Sequence, residues 1–215
     1  MTPKTFMRPT LLCAALATAA LLGACAPILV GGAVMGGTMM VDRRSSGTQV
    51  DDQGIELKSV TQIDNAIGDR GHINVTSYNR QVLITGEVPT EADKVKVEQA
   101  VAHIPNVRSV VNELTVGPSS SIGTRSNDTL LTSKVKASIV DAKDLQTSAY
   151  KVVTENGVVY LMGRVTQREA TRASDVARGV SGVRKVVLVF EIVTEAELAD
   201  LQAAPAPAAA SAAKP

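Results

Sequence analysis

Apolar positions in this chain switch between two periods, and the switch happens twice. Leu131, Val135 and Ile139 recur every four residues, the spacing of a helix with one buried face, and Leu57, Val60, Ile63 and Ile67 set a similar stripe earlier in the chain. Each stripe is followed by two β-rich runs. Tyr150 to Thr154 and Val158 to Met162 are joined through Glu155-Asn156-Gly157, and Asn-Gly signals a hairpin because both residues tolerate positive φ. Tyr78-Asn79-Arg80 holds the same place in the first copy. A second helix then starts at Thr166-Gln167-Arg168-Glu169, a capping box in which Thr166 and Glu169 satisfy each other's free backbone amides, with Thr90 and Asp93 as a looser counterpart. Its stripe of Ala170, Ala173, Val176, Ala177 and Val180 is thin enough to lie close to a sheet. A strand from Lys185 to Ile192 closes the unit. Asp128 is placed to cap the first helix of the second copy, and Asp51-Asp52 reads as an N-cap pair in the first.

The two copies align residue by residue. Val82 to Val88 falls over Val159 to Val165, and Ile104 to Val111 falls over Val180 to Val187, an offset too long for a solenoid unit and right for a duplicated small domain. A strand, a helix and a second strand in one sheet make a parallel crossover. The chain is therefore expected to be α+β, with two tandem αββαβ domains, each a three-stranded mixed sheet with two helices on one face and the other face open. The expected boundaries are 48–117 and 127–195, with residues 118–126 as a linker. Gly86 and Gly163, near the strand ends, are expected to allow a strand to pass close to a helix.

The N-terminus adds a different signal. Lys4 and Arg8 lead into an uncharged run from Thr10 to Leu22 that is too short to span a bilayer, and Leu22-Gly23-Ala24-Cys25 reads as a lipoprotein processing site. Residues 1–24 are then a signal peptide, and Cys25 carries the diacylglycerol and fatty acyl chains such as palmitate. Each buried methylene of such a chain contributes about 0.8 kcal/mol, so several chains anchor firmly. Cys13 leaves with the signal peptide, so no disulfide is expected. Ala26 follows Cys25 where an aspartate would resemble an inner-membrane retention signal, which points to the outer membrane, facing the periplasm. Residues 25–47 form a glycine-rich tether, and 196–215 an Ala/Pro-rich disordered tail.

Composition narrows the chemistry. With no Trp, two Phe and three Tyr, the cores must be built from Val, Ile, Leu and Ala. The net charge of +1 hides an asymmetry: residues 51–116 carry six basic and ten acidic side chains, residues 125–195 eleven and eight. The second half is the one suited to an anionic surface. The only histidines are His72 and His103, and there is no phosphate-binding glycine loop, paired-cysteine motif or HExxH, so no catalytic residues, metal or cofactor are expected. Nucleic acid is not an expected partner, because aromatics for base stacking are absent. His103 sits at a helix end, where a cation is favourable. Arg168, Arg172 and Arg178 read as a solvated face partly neutralised by Glu169 and Asp175.

The duplicated αββαβ unit, Gly86 and Gly163, and the Val-x-x-Val motifs at Val107 to Val110 and Val183 to Val186 resemble BON domains. With the lipoprotein site and the runs Ser126 to Thr129, Val152 to Gly157 and Leu161 to Ala170, the chain is similar to two-BON outer-membrane lipoproteins from Cys25 to about Ile192. That resemblance implies a place on the inner leaflet of the outer membrane, binding of anionic phospholipid (phosphatidylglycerol or cardiolipin) by the second domain, and support of envelope integrity and division-site processes. It also implies lipid contact along Asp128 to Val140, with Leu130, Ser133, Lys134, Lys136 and Ala137 as the phospholipid-binding residues. Similar proteins place a tryptophan where this chain has Leu130. Leucine prefers hydrocarbon where tryptophan prefers the interface, which leaves more of the attraction to Lys134 and Lys136, each worth about 1 kcal/mol near an anionic surface. The competing expectation is an adaptor for outer-membrane assembly or cell-wall hydrolase regulation, with lipid serving only as anchor.

Overall fold

Each copy of the repeat folds as helix, hairpin, helix and strand in a computed structural model that describes residues 42–203. The order is α1 (Ser46–Ile67), β1 (His72–Tyr78), β2 (Gln81–Val88), α2 (Glu91–Ala102), β3 (Ser109–Asn112), β4 (Thr115–Val116), α3 (Ile122–Asp141), a 3-10 turn (Thr147–Ala149), β5 (Tyr150–Glu155), β6 (Val158–Val165), α4 (Gln167–Arg178), β7 (Lys185–Ile192) and α5 (Glu195–Ala203). The expected signal peptide, Cys25, most of the expected tether and residues 204–215 lie outside the described residues.

Both hairpins turn on two residues with positive φ, Asn79-Arg80 (52° and 64°) and Asn156-Gly157 (49° and 73°), the twist that lets antiparallel strands continue without splaying. In each domain the middle strand pairs antiparallel with one neighbour and parallel with the strand after the crossover: β1-β2-β3 in the first, β5-β6-β7 in the second. The last strand of the first domain is broken. Asn112 Oδ1 accepts from the Leu114 N–H and Leu114 turns inward, so β3 gives way to a separate β4 that also pairs with β2. The first sheet thus has four strands where three were expected.

Ile55, Val97 and Val101 pack on the helix-facing side of the first sheet against Val82, Ile84 and Val88, while Val135, Ile139, Ala170, Ala173 and Ala177 pack against Val159, Leu161 and Val165 in the second. The opposite faces are not open. Tyr78 and Leu83 of the first sheet meet Tyr160, Met162 and Val189 of the second in one buried cluster, so the two sheets cover each other. This explains why β2 and β6 are buried along nearly their whole length, with unalternating apolar runs at Val82 to Ile84 and Val158 to Met162. Polar contacts rim the cluster: Glu191 accepts from Asn79, Arg108 and Arg164, and Lys151 Nζ donates to Glu56 at 2.7 Å.

Several boundaries move. Ser45 caps α1 and Ser121 caps α3, so both helices start before Asp52 and Asp128, and α3 takes up residues 122–126 of the expected linker. The front of the expected disordered tail is α5, whose start is a reciprocal pair: the Thr194 N–H donates to Glu197, and the Glu197 N–H donates to the Thr194 hydroxyl. Leu198 then buries against the domain. Asp42 to Arg44, expected in the tether, are packed. Leu57 and Val60, expected in the core, are 73 and 70% exposed; α1 buries Asp52, Ile55, Ser59 and Ile67 instead. Gly86 relieves a contact between two strands, since a Cβ there would lie 1.9 Å from the His72 carbonyl oxygen of β1, whereas Gly163 lets β6 pass the 3-10 turn, where a Cβ would lie 2.2 Å from the Ala149 carbonyl oxygen.

Candidate membrane-facing site

Helix α3 is held from beneath by its buried aspartate. Asp128 accepts from the N–H groups of Asn156 and Gly157, both at 2.8 Å, tying the helix to the tip of the β5–β6 hairpin. Asp52 does the same in the first domain, accepting from the N–H of Asn79 and Arg80 and from the Ser77 hydroxyl, with Arg44 alongside. Burial opposes ionisation of Asp52, but these donors outweigh it and hold its carboxyl below the usual carboxylate range. These residues are hairpin anchors, not N-caps.

With Asp128, Leu131, Val135 and Ile139 turned to the core, the rotation of α3 is fixed and its far side faces solvent. At 100° per residue, Leu130, Ala137 and Ser133 fall within an arc of roughly 60°; Lys134 lies about 40° beyond Leu130, and Lys136 about 60° beyond Ser133 on the other side. All five side chains are exposed, Leu130 by 62%. Ile122 and Val140 extend the apolar strip toward both ends of the helix. The structure therefore brings the five expected residues onto one face but places the two lysines on opposite flanks of it. The Ser133 hydroxyl donates to the Thr129 carbonyl at 3.0 Å, which keeps it against its own helix. Among the described residues no helix is long and apolar enough to cross a membrane.

A shallow groove separates α3 from α4, lined by Lys134, Ala137, Arg172, Val176 and Val180. Arg172 is engaged there by Asp144 at 2.9 Å, and Arg178 lies 3.6 Å from Asp175. Glu169 does not neutralise this basic face. It points inward, where its two oxygens accept from Arg43 Nη1 and Nη2, each at 2.8 Å, while Oε2 also completes the capping box with the Thr166 N–H at 3.0 Å. Burial opposes the Glu169 charge; Arg43 and Thr166 overcome it and hold the carboxyl below its ordinary range. Arg43 also donates to the Arg164 carbonyl, so its guanidinium, 2% exposed, belongs to the second domain. The next residue, Arg44, belongs to the first: it bonds Asp52 at 2.7 Å and lies 4.4 Å over the Tyr78 ring. The Arg43-Arg44 pair thus bridges both domains. Nothing in its local sequence announces this, because the partners lie far along the chain.

A larger groove of about 740 Å³ runs between α1 and β1 in the first domain, lined by Leu57, Val60, Ile63, Ile73 and Val75 with Glu56 and Asp64 at its edge. The sequence missed it because the buried face of α1 carries Asp52 and Ser59, polar positions that hide its true register. The Ser59 hydroxyl is satisfied within the helix by the Ile55 carbonyl at 2.7 Å.

The BON domain family model matches residues 51–118 and 127–194, one match to each domain. Outer membrane lipoprotein DolP of Haemophilus influenzae is 37% identical over 172 residues, covering 79% of this chain and 89% of that protein. The 21 kDa hemolysin of Actinobacillus pleuropneumoniae is 34% identical over 158 residues, with 73 and 81% coverage. Osmotically-inducible protein Y of Escherichia coli is 30% identical over 145 residues, with 65 and 72% coverage.

Proposed function

Because the chain belongs to the BON-domain family, as a two-domain outer-membrane lipoprotein resembling DolP, we propose that it is a non-catalytic binding protein, anchored through acylated Cys25, that recognises anionic phospholipid with the outer face of α3. The observation that carries this reading is Leu130, exposed on a rigidly held helix between Lys134 and Lys136. Leucine enters the hydrocarbon, and the two lysines lay their stems along the apolar strip and keep their charges at the phosphates. One leucine and two lysines supply roughly 4 kcal/mol, a dissociation constant near millimolar. That is too weak to hold a protein on a membrane and strong enough to orient one that acyl chains already confine there. Phosphatidylglycerol and cardiolipin supply the required charge, and envelope integrity and division-site processes are the roles such a surface reader would serve.

The test is co-sedimentation of residues 42–203 with phosphatidylglycerol or phosphatidylcholine vesicles at low and high salt. Binding is expected to the anionic vesicles only, and to weaken with salt. Leu130→Asp is expected to abolish it, and Lys134→Ala to weaken it about fivefold, the equivalent of about 1 kcal/mol. Equal binding to both lipids, or none to either, rejects the reading.

The α1–β1 groove favours a second reading, an adaptor that docks a protein of outer-membrane assembly or of cell-wall hydrolase regulation. Leu57→Asp with Val60→Asp would then remove the partner and leave vesicle binding unchanged.

A further inference from the structure

Where the two sheets meet, three potential metal ligands converge. His72 opens β1 and is the cross-strand partner of Glu87 in β2, while Glu155 ends β5 of the second domain. His72 Nδ1 lies 3.5 Å from Glu87 Oε2 and 4.0 Å from Glu155 Oε1, and one donor atom from each residue fits within 4.8 Å of the others. The two carboxylates are 5 and 8% exposed.

Hydrogen bonds across the domain boundary fix the orientation of both carboxylates. The far oxygen of each carboxylate is held by an asparagine of the opposite domain: Asn156 Nδ2 donates to Glu87 Oε1, and Asn74 Nδ2 donates to Glu155 Oε2 at 2.9 Å. The near oxygens are thereby turned toward His72, the arrangement by which outer hydrogen bonds aim metal ligands. Among the described residues neither carboxylate pairs with Lys or Arg. His72 Nδ1 is buried with no hydrogen-bond partner, and so is Ser120 Oγ, whose own N–H donates to Glu87 Oε2 at 3.0 Å. Two buried carboxylates and an unpartnered ring nitrogen facing one another leave a negative centre with a position for a cation.

We propose that His72, Glu87 and Glu155 bind a divalent transition-metal ion of the zinc type, joining the two domains. One imidazole nitrogen and two carboxylate oxygens suit zinc at about 2.0–2.2 Å, which sets tetrahedral ligand atoms roughly 3.3 Å apart, so donors that lie within 4.8 Å of one another need close by at most about 1.5 Å. A groove lined by His72, Glu155, Thr129 and Arg125 opens the site to solvent and leaves the fourth position to water. Since two ligands come from one domain and the third from the other, the ion would tighten the sheet-to-sheet contact.

The full chain in detergent micelles, stripped with a chelator, is titrated with zinc chloride in a calorimeter and then heated. One zinc per chain and a raised unfolding temperature are expected. His72→Gln and Glu155→Gln are each expected to weaken zinc binding at least tenfold, and Asn74→Ala, which releases Glu155 without removing a ligand, about tenfold. His103→Gln, at the only other histidine, keeps full affinity. Circular dichroism establishes that each variant is folded; if Glu155→Gln is not, His72→Gln and Asn74→Ala decide. No zinc bound by the folded chain, undiminished binding by His72→Gln, or an equal response to magnesium chloride overturns the proposal.

Discussion

Arg43→Ala is expected to destabilise the chain by about 3–5 kcal/mol, because it leaves the Glu169 carboxylate buried without its counter-charge. The loss is larger than a surface pair would give: the guanidinium is enclosed, bidentate, and also serves the Arg164 carbonyl. Urea denaturation followed by circular dichroism measures it. Glu169→Gln in the same background should recover part of the loss, since a neutral amide is cheaper to bury than a lone charge. Acid gives an independent readout. The folded-state pKa of Glu169 is depressed, so its contribution is present above the unfolded value of about 4.3 and is lost as pH falls through the folded one. Asp52, depressed as well, acts in the same direction. The urea midpoint of the wild-type chain should therefore fall more steeply below about pH 4.3 than that of the Arg43→Ala, Glu169→Gln double variant.

Gly86→Ala is expected to cost about 3–5 kcal/mol from a single added methyl group. The backbone there has φ +115°, a region side chains rarely adopt, and a Cβ would sit 1.9 Å from the His72 carbonyl oxygen, which cannot move without breaking the β1–β2 ladder. Gly54→Ala supplies the opposite sign. Gly54 lies inside α1 with nothing within 4 Å of the added Cβ, so the substitution should stabilise by up to about 1 kcal/mol. Thermal unfolding of the two variants beside the wild type checks both; equal shifts would mean that the strand approach at Gly86 is looser than it stands here.

Periodicity revealed the domain pattern because strands and alanine-striped helices bury what their sequences advertise. Lys185 to Ile192, the Thr166–Glu169 box and both hairpin turns were readable for that reason. The register of α1 was not, because its buried face is partly polar and is satisfied by partners that only the fold supplies: Asp52 by the Asn79-Arg80 turn, Ser59 by its own helix. The α3 face was legible once Leu131, Val135 and Ile139 fixed its rotation. Arg43 and the His72–Glu87–Glu155 cluster were not, since each joins residues that lie far apart in the chain and carry no spacing signal. The helix at Thr194-Glu195-Ala196-Glu197 had a capping signature, which the alanine- and proline-rich composition beyond it obscured.

The shared sheet interface also governs how the protein can be taken apart. A second domain cut from the first would carry Tyr160, Met162 and Val189 on a bare β surface, the kind that sticks to copies of itself. Loss of lipid binding in such a half would report aggregation as readily as a missing contact. Melting should accordingly be cooperative across both domains, in one heat-absorption peak and not two.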